Sequence, residues 1–175
     1  GMVDGVLLLV DAVEGPMPQP RFVTMKALQQ GLKPIVVVNK VDRPGARAEW
    51  VVNQTFDLFD KLGATDDQLD FPVVYASALN GWATLDVAVA KAGVPGPDAS
   101  MKPLFETILA AVPAPVGDTE GPLQFQVSAL DYSSYLGRLG IGRIRRGRIA
   151  PGMEVAVLNG PLAAGAVPKK AKVGQ

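Results

Sequence analysis

The sequence contains no cysteine and no histidine. The first absence excludes a disulfide framework and any thiolate metal site. The second removes the commonest general base and metal ligand, so zinc centres and triads built on these residues are ruled out. Aromatic residues make up only 6% of the chain, and its apolar runs fall far short of the ~18 residues a membrane span requires. No basic region followed by an apolar stretch and a small-residue cleavage site opens the sequence. The expectation is a soluble, cytoplasmic protein without a membrane partner.

What is present is a chain of 175 residues, 48% hydrophobic and 19% charged, enough for one compact domain or two small ones. Nineteen glycines and fifteen prolines punctuate what should be many short elements. Formal charge is zero, but residues 1–115 carry 9 basic and 13 acidic side chains, whereas residues 116–175 carry 8 and 4. The second half is therefore the candidate contact for a polyanion.

Gly5 to Val10 is a continuous apolar run, the pattern of a strand covered on both faces by helices. Arg21 to Gln30 has helical spacing and is stopped by Gly31, and Ile35 to Val38 reads as a second buried strand. Ala48 to Leu62, stopped by Gly63, is a second helix, Val73 to Ala76 a third strand, and Met101 to Ala111 a last helix. This alternation predicts an α/β parallel sheet whose strand ends carry the binding chemistry. The stretch from Asn80 to Ser100 mixes turn and helix signals and yields no chemical reading.

Pro113 to Pro122 holds three prolines and two glycines without apolar periodicity, the composition of a linker. From Leu123 to Ala129 apolar and polar residues then alternate, as in a half-buried antiparallel strand. Further strands are expected around Leu139 to Arg146, Glu154 to Leu158 and Lys170 to Val173, with turns at Pro151-Gly152 and Asn159-Gly160. The expected division is residues 1–115, a linker at 116–122, and part of an antiparallel β-barrel over 123–175, with Tyr132 and Tyr135 read as buried anchors closing it, or else as surfaces on which bases stack.

Asn39-Lys40-Val41-Asp42 follows the second strand directly, and Ser77-Ala78-Leu79 follows the third. A purine with an N–H beside an amino group presents two donors side by side, which one ionised carboxylate can accept together. Asp42 is the candidate acceptor. Adenine lacks that pair, so a site built on Asp42 would discriminate sharply between the purines. Asn39 could brace the loop or bond the base, and the Lys40 stem could lie over the ring. A backbone N–H near Ala78 could meet the base carbonyl, with Ser77 orienting Asp42.

The run VDGVLLLVDAVEGPMPQ, the pair NKVD and SAL, and the segment LDYSSYLGRLGIGRIRRGRI together resemble the TypA/BipA family of translational GTPases. The resemblance implies the second half of a P-loop GTPase domain followed by part of a β-barrel, in a ribosome-associated protein that binds GTP or GDP with magnesium and hydrolyses GTP. By the family motif, Asn39, Lys40 and Asp42 match the base-recognition loop, and Ser77, Ala78 and Leu79 the second guanine-contacting loop. The phosphate-binding G-x-x-x-x-G-K-[ST] pattern does not occur. No catalytic residue or metal ligand is therefore expected within this stretch. The reading is of a fragment of the intact protein, with weak or no nucleotide binding of its own and a first strand whose unpaired edge favours self-association.

Arg138, Arg143, Arg145, Arg146 and Arg148 fall within eleven residues, and no acidic side chain lies between Tyr132 and Met153. They are candidate contacts to ribosomal RNA, with Lys169, Lys170 and Lys172 as a possible extension. A solvated barrel strand would show the same residues. The competing reading of the whole chain is a non-enzymatic RNA- or protein-binding barrel beside an α/β scaffold.

Overall fold

A computed structural model describes residues 2–17, 20–158, 160 and 167–174. The chain divides into two compact units, one running from Val3 to Ala114 and one from Pro115 onward together with the N-terminal tip.

The first unit is a four-stranded sheet in the order β1-β2-β3-β4, formed by β1 (Val6–Asp11), β2 (Pro34–Asn39), β3 (Val73–Ser77) and β4 (Trp82–Thr84). β1, β2 and β3 pair in parallel, but β3 pairs with β4 antiparallel. The sheet is thus mixed, not parallel throughout. Only four residues separate β3 from β4, too few for the crossover a parallel neighbour demands. Between the strands lie α1 (Pro20–Gln29), α2 (Ala48–Lys61), α3 (Asp66–Leu69), α4 (Val87–Ala92) and α5 (Lys102–Ala111).

The core is split by the sheet. Leu8, Val10, Val36, Val38 and Tyr75 pack with Val51, Leu58 and Phe59 of α2 and Ala90 of α4. On the other face Ile35, Val37, Val74 and Ala76 pack beneath Leu104, Ile108 and Ala111 of α5. Thr55, wholly buried on α2, spends its hydroxyl on the Val51 carbonyl at 2.8 Å. β2 and β3 are therefore covered on both faces, which is why they read as unbroken apolar runs.

β1 departs from its expectation. Leu8 and Val10 are buried, but Leu7 and Leu9, in register with Ile35 and Val37, are 39% and 60% exposed. β1 is the end strand of the sheet, and only one of its faces is covered. A cleft of about 300 Å³ opens there between Leu7, Leu9, Val23 and Ala27.

The second unit contains two separate antiparallel pairs among the described residues: β5 (Gln124–Ser133) with β6 (Gly137–Arg146), and β7 (Glu154–Val157) with β8 (Lys169–Lys172). The expected barrel is not closed. Val127, Leu130, Ile141 and Ile144 stay exposed, and Tyr132 and Tyr135 are 71% and 91% exposed instead of anchoring an interior. Two-stranded pairs cannot enclose side chains, so these apolar groups have no interior to enter. The Asp118 to Gly121 segment is tied back onto this unit: the Gly147 N–H donates to the Asp118 carbonyl at 2.8 Å, while Asp118 Oδ1 accepts from the Glu120 and Gly121 N–H groups. The expected Asn159-Gly160 turn falls partly outside the described residues.

Candidate functional site

The C-terminal ends of β1, β2 and β3 lie side by side, and the loops leaving them form one rim. Asp11 stands in register with Asn39, and Asn39 with Ala76. A cleft of about 340 Å³ opens between the loops, lined by Asn39, Lys40, Asp42, Arg43, Ala78 and Leu79. The structure thus brings Asn39, Lys40, Asp42, Ala78 and Leu79 together, with Ser77 buried behind them.

Asn39 is the brace between the loops. Its Oδ1 accepts the Lys40 N–H at 2.8 Å and the Ala78 N–H at 3.0 Å. The Ala78 donor, expected to meet a base carbonyl, is thereby engaged within the protein. Val41 is buried and its N–H reaches the Ala76 carbonyl at 3.3 Å, seating the loop on β3. Burial of Val41 turns its flanking residues Lys40 and Asp42 toward the cleft.

Lys40 has φ +67°, the left-handed region that side chains other than glycine seldom enter. Its Nζ donates to Asp11 Oδ2 at 2.6 Å, with the Asp11 side chain only 10% exposed. Asp11 Oδ1 in turn accepts the Val13 N–H at 2.8 Å and the Glu14 N–H at 3.3 Å. Burial alone would raise the Asp11 pKa. The Lys40 hydrogen bond, the two backbone donors and the Lys40 charge together outweigh it and hold the carboxyl below its ordinary range.

Asp42 is half-buried, and its Oδ2 accepts the Asn80 Nδ2 at 3.2 Å. Asn80 links Ser77 to Asp42, because the Ser77 Oγ accepts the same Nδ2 at 2.9 Å. Asp11 and Asn80 are two side chains of this rim that the sequence pattern does not single out. The first reads as an ordinary strand end, and the second as one polar residue in a turn.

Two further contacts fix the rim. Arg47, which precedes α2, donates to the Val13 carbonyl at 2.9 Å and stacks 3.9 Å from the Trp50 ring centre. Gly93 ends α4 at φ +67°, and a Cβ there would stand 3.2 Å from the Val41 carbonyl oxygen.

The arginines lie on the second unit. β6 bulges opposite the step from Gln124 to Phe125, so that Arg145 has no register partner between Ile144 and Arg146. Arg145 Nε donates to Gln126 Oε1 at 3.2 Å, and Arg148 pairs with Glu120 at 2.8 Å. Arg138, Arg145, Arg146 and Arg148 are exposed and Arg143 is half-buried.

A set of three or more acidic side chains converging on one point is absent among the described residues. No described helix is long and apolar enough to cross a membrane.

Comparison with known proteins places the chain among relatives. The chain is 58% identical over 158 residues to the large ribosomal subunit assembly factor BipA of Salmonella typhimurium, covering 90% of this chain and 25% of that protein. It is 55% identical over 157 residues to the protein of the same name from Bacillus subtilis, covering 90% of this chain and 24% of that one. It therefore spans about a quarter of the length of these curated relatives, and the resemblance to the TypA/BipA translational GTPases stands on them. Among solved structures, apo translation elongation factor SelB from Methanococcus maripaludis superimposes with a TM-score of 0.62 at 20% identity, over 89% of this chain and 30% of that one, a likeness of fold alone. The elongation factor Tu GTP-binding domain family matches residues 1–114, and the chain belongs to that family.

Proposed function

We propose that the protein bearing this chain is a GTP-binding and GTP-hydrolysing factor that acts on the ribosome, and that residues 1–115 hold its guanine-reading loops. The observation that carries this reading is the convergence of the Asn39 to Asp42 loop and the Ser77 to Asn80 loop around one cleft at the ends of adjacent parallel strands. The Asp42 carboxylate accepts the N1–H and the amino group of guanine. The Lys40 stem lies along the purine ring, its charge held by Asp11, and Asn39 keeps the two loops at a fixed separation. The Ala78 N–H is shared between Asn39 and the base carbonyl, with the Leu79 N–H beside it.

Phosphate and magnesium contacts fall outside this set of residues, and this chain supplies neither the attacking water's partner nor a catalytic group. The chain alone therefore binds guanine nucleotides weakly, because it keeps the base contacts without the charge-assisted bonds a triphosphate needs. Calorimetric titration with GDP and ADP tests both statements. The full-length product of the reading frame should bind GDP and not ADP. Micromolar GDP affinity in the 175-residue chain would contradict the assignment of phosphate binding elsewhere.

The ribosomal partner is supported by the names of the relatives and by the arginines of β6. In this reading Arg138, Arg143, Arg145, Arg146 and Arg148 contact ribosomal RNA through its phosphates, with Lys169, Lys170 and Lys172 adding charge. The outer edge of β1, with Leu7 and Leu9 exposed, favours self-association of the isolated chain. Sedimentation should then show mass rising with concentration, and Leu9→Lys should suppress it.

A further inference from the structure

Asn80 occupies a place that its exposure alone would not suggest. Its backbone N–H donates to Ser77 Oγ at 3.4 Å and its Nδ2 donates to the same oxygen at 2.9 Å. Ser77 is fully buried, so this turn residue is fastened twice to a fixed point of the core. The remaining N–H of the amide is aimed at Asp42 Oδ2, 3.2 Å away.

A carboxylate turns readily about its last torsion, which is broad and two-fold. Accepting two donors from one base edge requires both oxygens in the plane of the base, so an unguided Asp42 would spend much of its time in rotations that satisfy only one. Oδ2 has two acceptor directions. Asn80 takes one from the protein side and leaves the other for the cleft, so it steers the carboxylate without competing for the ligand.

We propose that Asn80 is a specificity-determining positioning residue: it sets the rotation of the Asp42 carboxylate and thereby the preference for a purine that offers two adjacent donors over one that offers one. This rests on the reading of Asp42 as the base acceptor. Guanine has the ring N–H and the exocyclic amino group. Hypoxanthine keeps the ring N–H and lacks the amino group, so it needs only one oxygen and tolerates a rotated carboxylate.

The test is the ratio of GDP to IDP affinity, measured by calorimetry on the full-length product of the reading frame, in the parent sequence and in Asn80→Ala. GDP affinity should fall about tenfold, the scale of one hydrogen bond to a charged group, while IDP affinity falls only about two- to threefold, so that the preference shrinks. Asn80→Asp keeps the shape, exchanges the donor for an acceptor, and should shrink the preference at least as far. A uniform loss for both nucleotides would reduce Asn80 to a loop brace. A gain in GDP affinity would make it a competitor. Either result overturns the proposal while leaving Asp42 as the reader. A parent protein that does not distinguish GDP from IDP would instead overturn the reading of Asp42, and the proposal with it.

Discussion

Asp11 and Lys40, 29 residues apart in sequence, are joined at 2.6 Å across the ends of β1 and β2. The pair ties the loop after one strand to the loop after the next. Lys40 also pays for its left-handed backbone, so the contact stabilises a conformation that local preference opposes. Asp11→Ala leaves the Val13 N–H and the Lys40 charge without their acceptor. It should lower the stability of the first unit by about 1–2 kcal/mol, read as a lower urea midpoint, and Asp11→Asn should cost less because its amide oxygen still accepts from the backbone.

The same carboxyl sets an acid limit. Its pKa is below the ordinary value of 3.8 in the folded chain, so the folded state holds this proton less tightly than the unfolded state does. The stability it contributes is complete above about pH 4 and is lost as pH falls through the lower folded value. Tyr75 acts at the other end. Burial first, then the Glu49 charge, raise its pKa above 10.0, so its contribution is complete below pH 10 and is lost as pH rises through the raised value. Thermal midpoints should be flat for these two groups between, and Asp11→Asn should flatten the acid limb.

Gly93 tests how the Asn39 to Asp42 loop is held from below. It combines φ +67° with a Cβ position 3.2 Å from the Val41 carbonyl oxygen, whereas Gly31, at φ +75°, has nothing within 4 Å. Both alanine variants bear the cost of a left-handed residue, about 1–2 kcal/mol. Only Gly93→Ala also pushes on the Val41 and Asp42 backbone. Amide shifts around Asn39 to Asp42 should therefore move in Gly93→Ala and stay in place in Gly31→Ala.

The parts of this architecture that sequence revealed are those fixed by local burial. The β2 run and the β3 run are covered on both faces, so the loops leaving them were legible as a rim. The exposure of Leu7 and Leu9 was not, because it depends on β1 standing at the end of the sheet, a property of strand order and not of the strand. β4 has three residues, too few for any period, and Trp82 and Ala83 are buried only because β3 turns back upon itself. Asn80 and Asp11 act through contacts 38 and 29 residues away, which no local pattern encodes. The barrel expectation rested on strand alternation, which two separate antiparallel pairs satisfy equally well.

Asp42→Asn examines the proposed base acceptor itself. The variant replaces two acceptors with one acceptor and one donor, so it complements an edge with a ring N–H beside a carbonyl. Xanthine has that edge, with a carbonyl where guanine carries its amino group. Guanine nucleotide affinity should fall at least about a hundredfold, since a donor is left facing a donor, and xanthine nucleotide affinity should rise. Competition of XDP against GDP on the full-length product reads both changes at once.

The arginines of β6 are best tested through salt. Arg148 is held by Glu120 at 2.8 Å with both side chains largely exposed, a pair that phosphates can displace at little cost. If the stripe follows an RNA backbone, each phosphate neutralised adds about 0.7–0.9 to the slope of log affinity against log salt. Arg145→Glu with Arg146→Glu should then weaken binding of the full-length product to ribosomal subunits and flatten that slope by about 1.5. Glu120→Gln, which frees Arg148, should strengthen binding at low salt. A double reversal that leaves both affinity and slope unchanged would return these arginines to the role of a solvated strand.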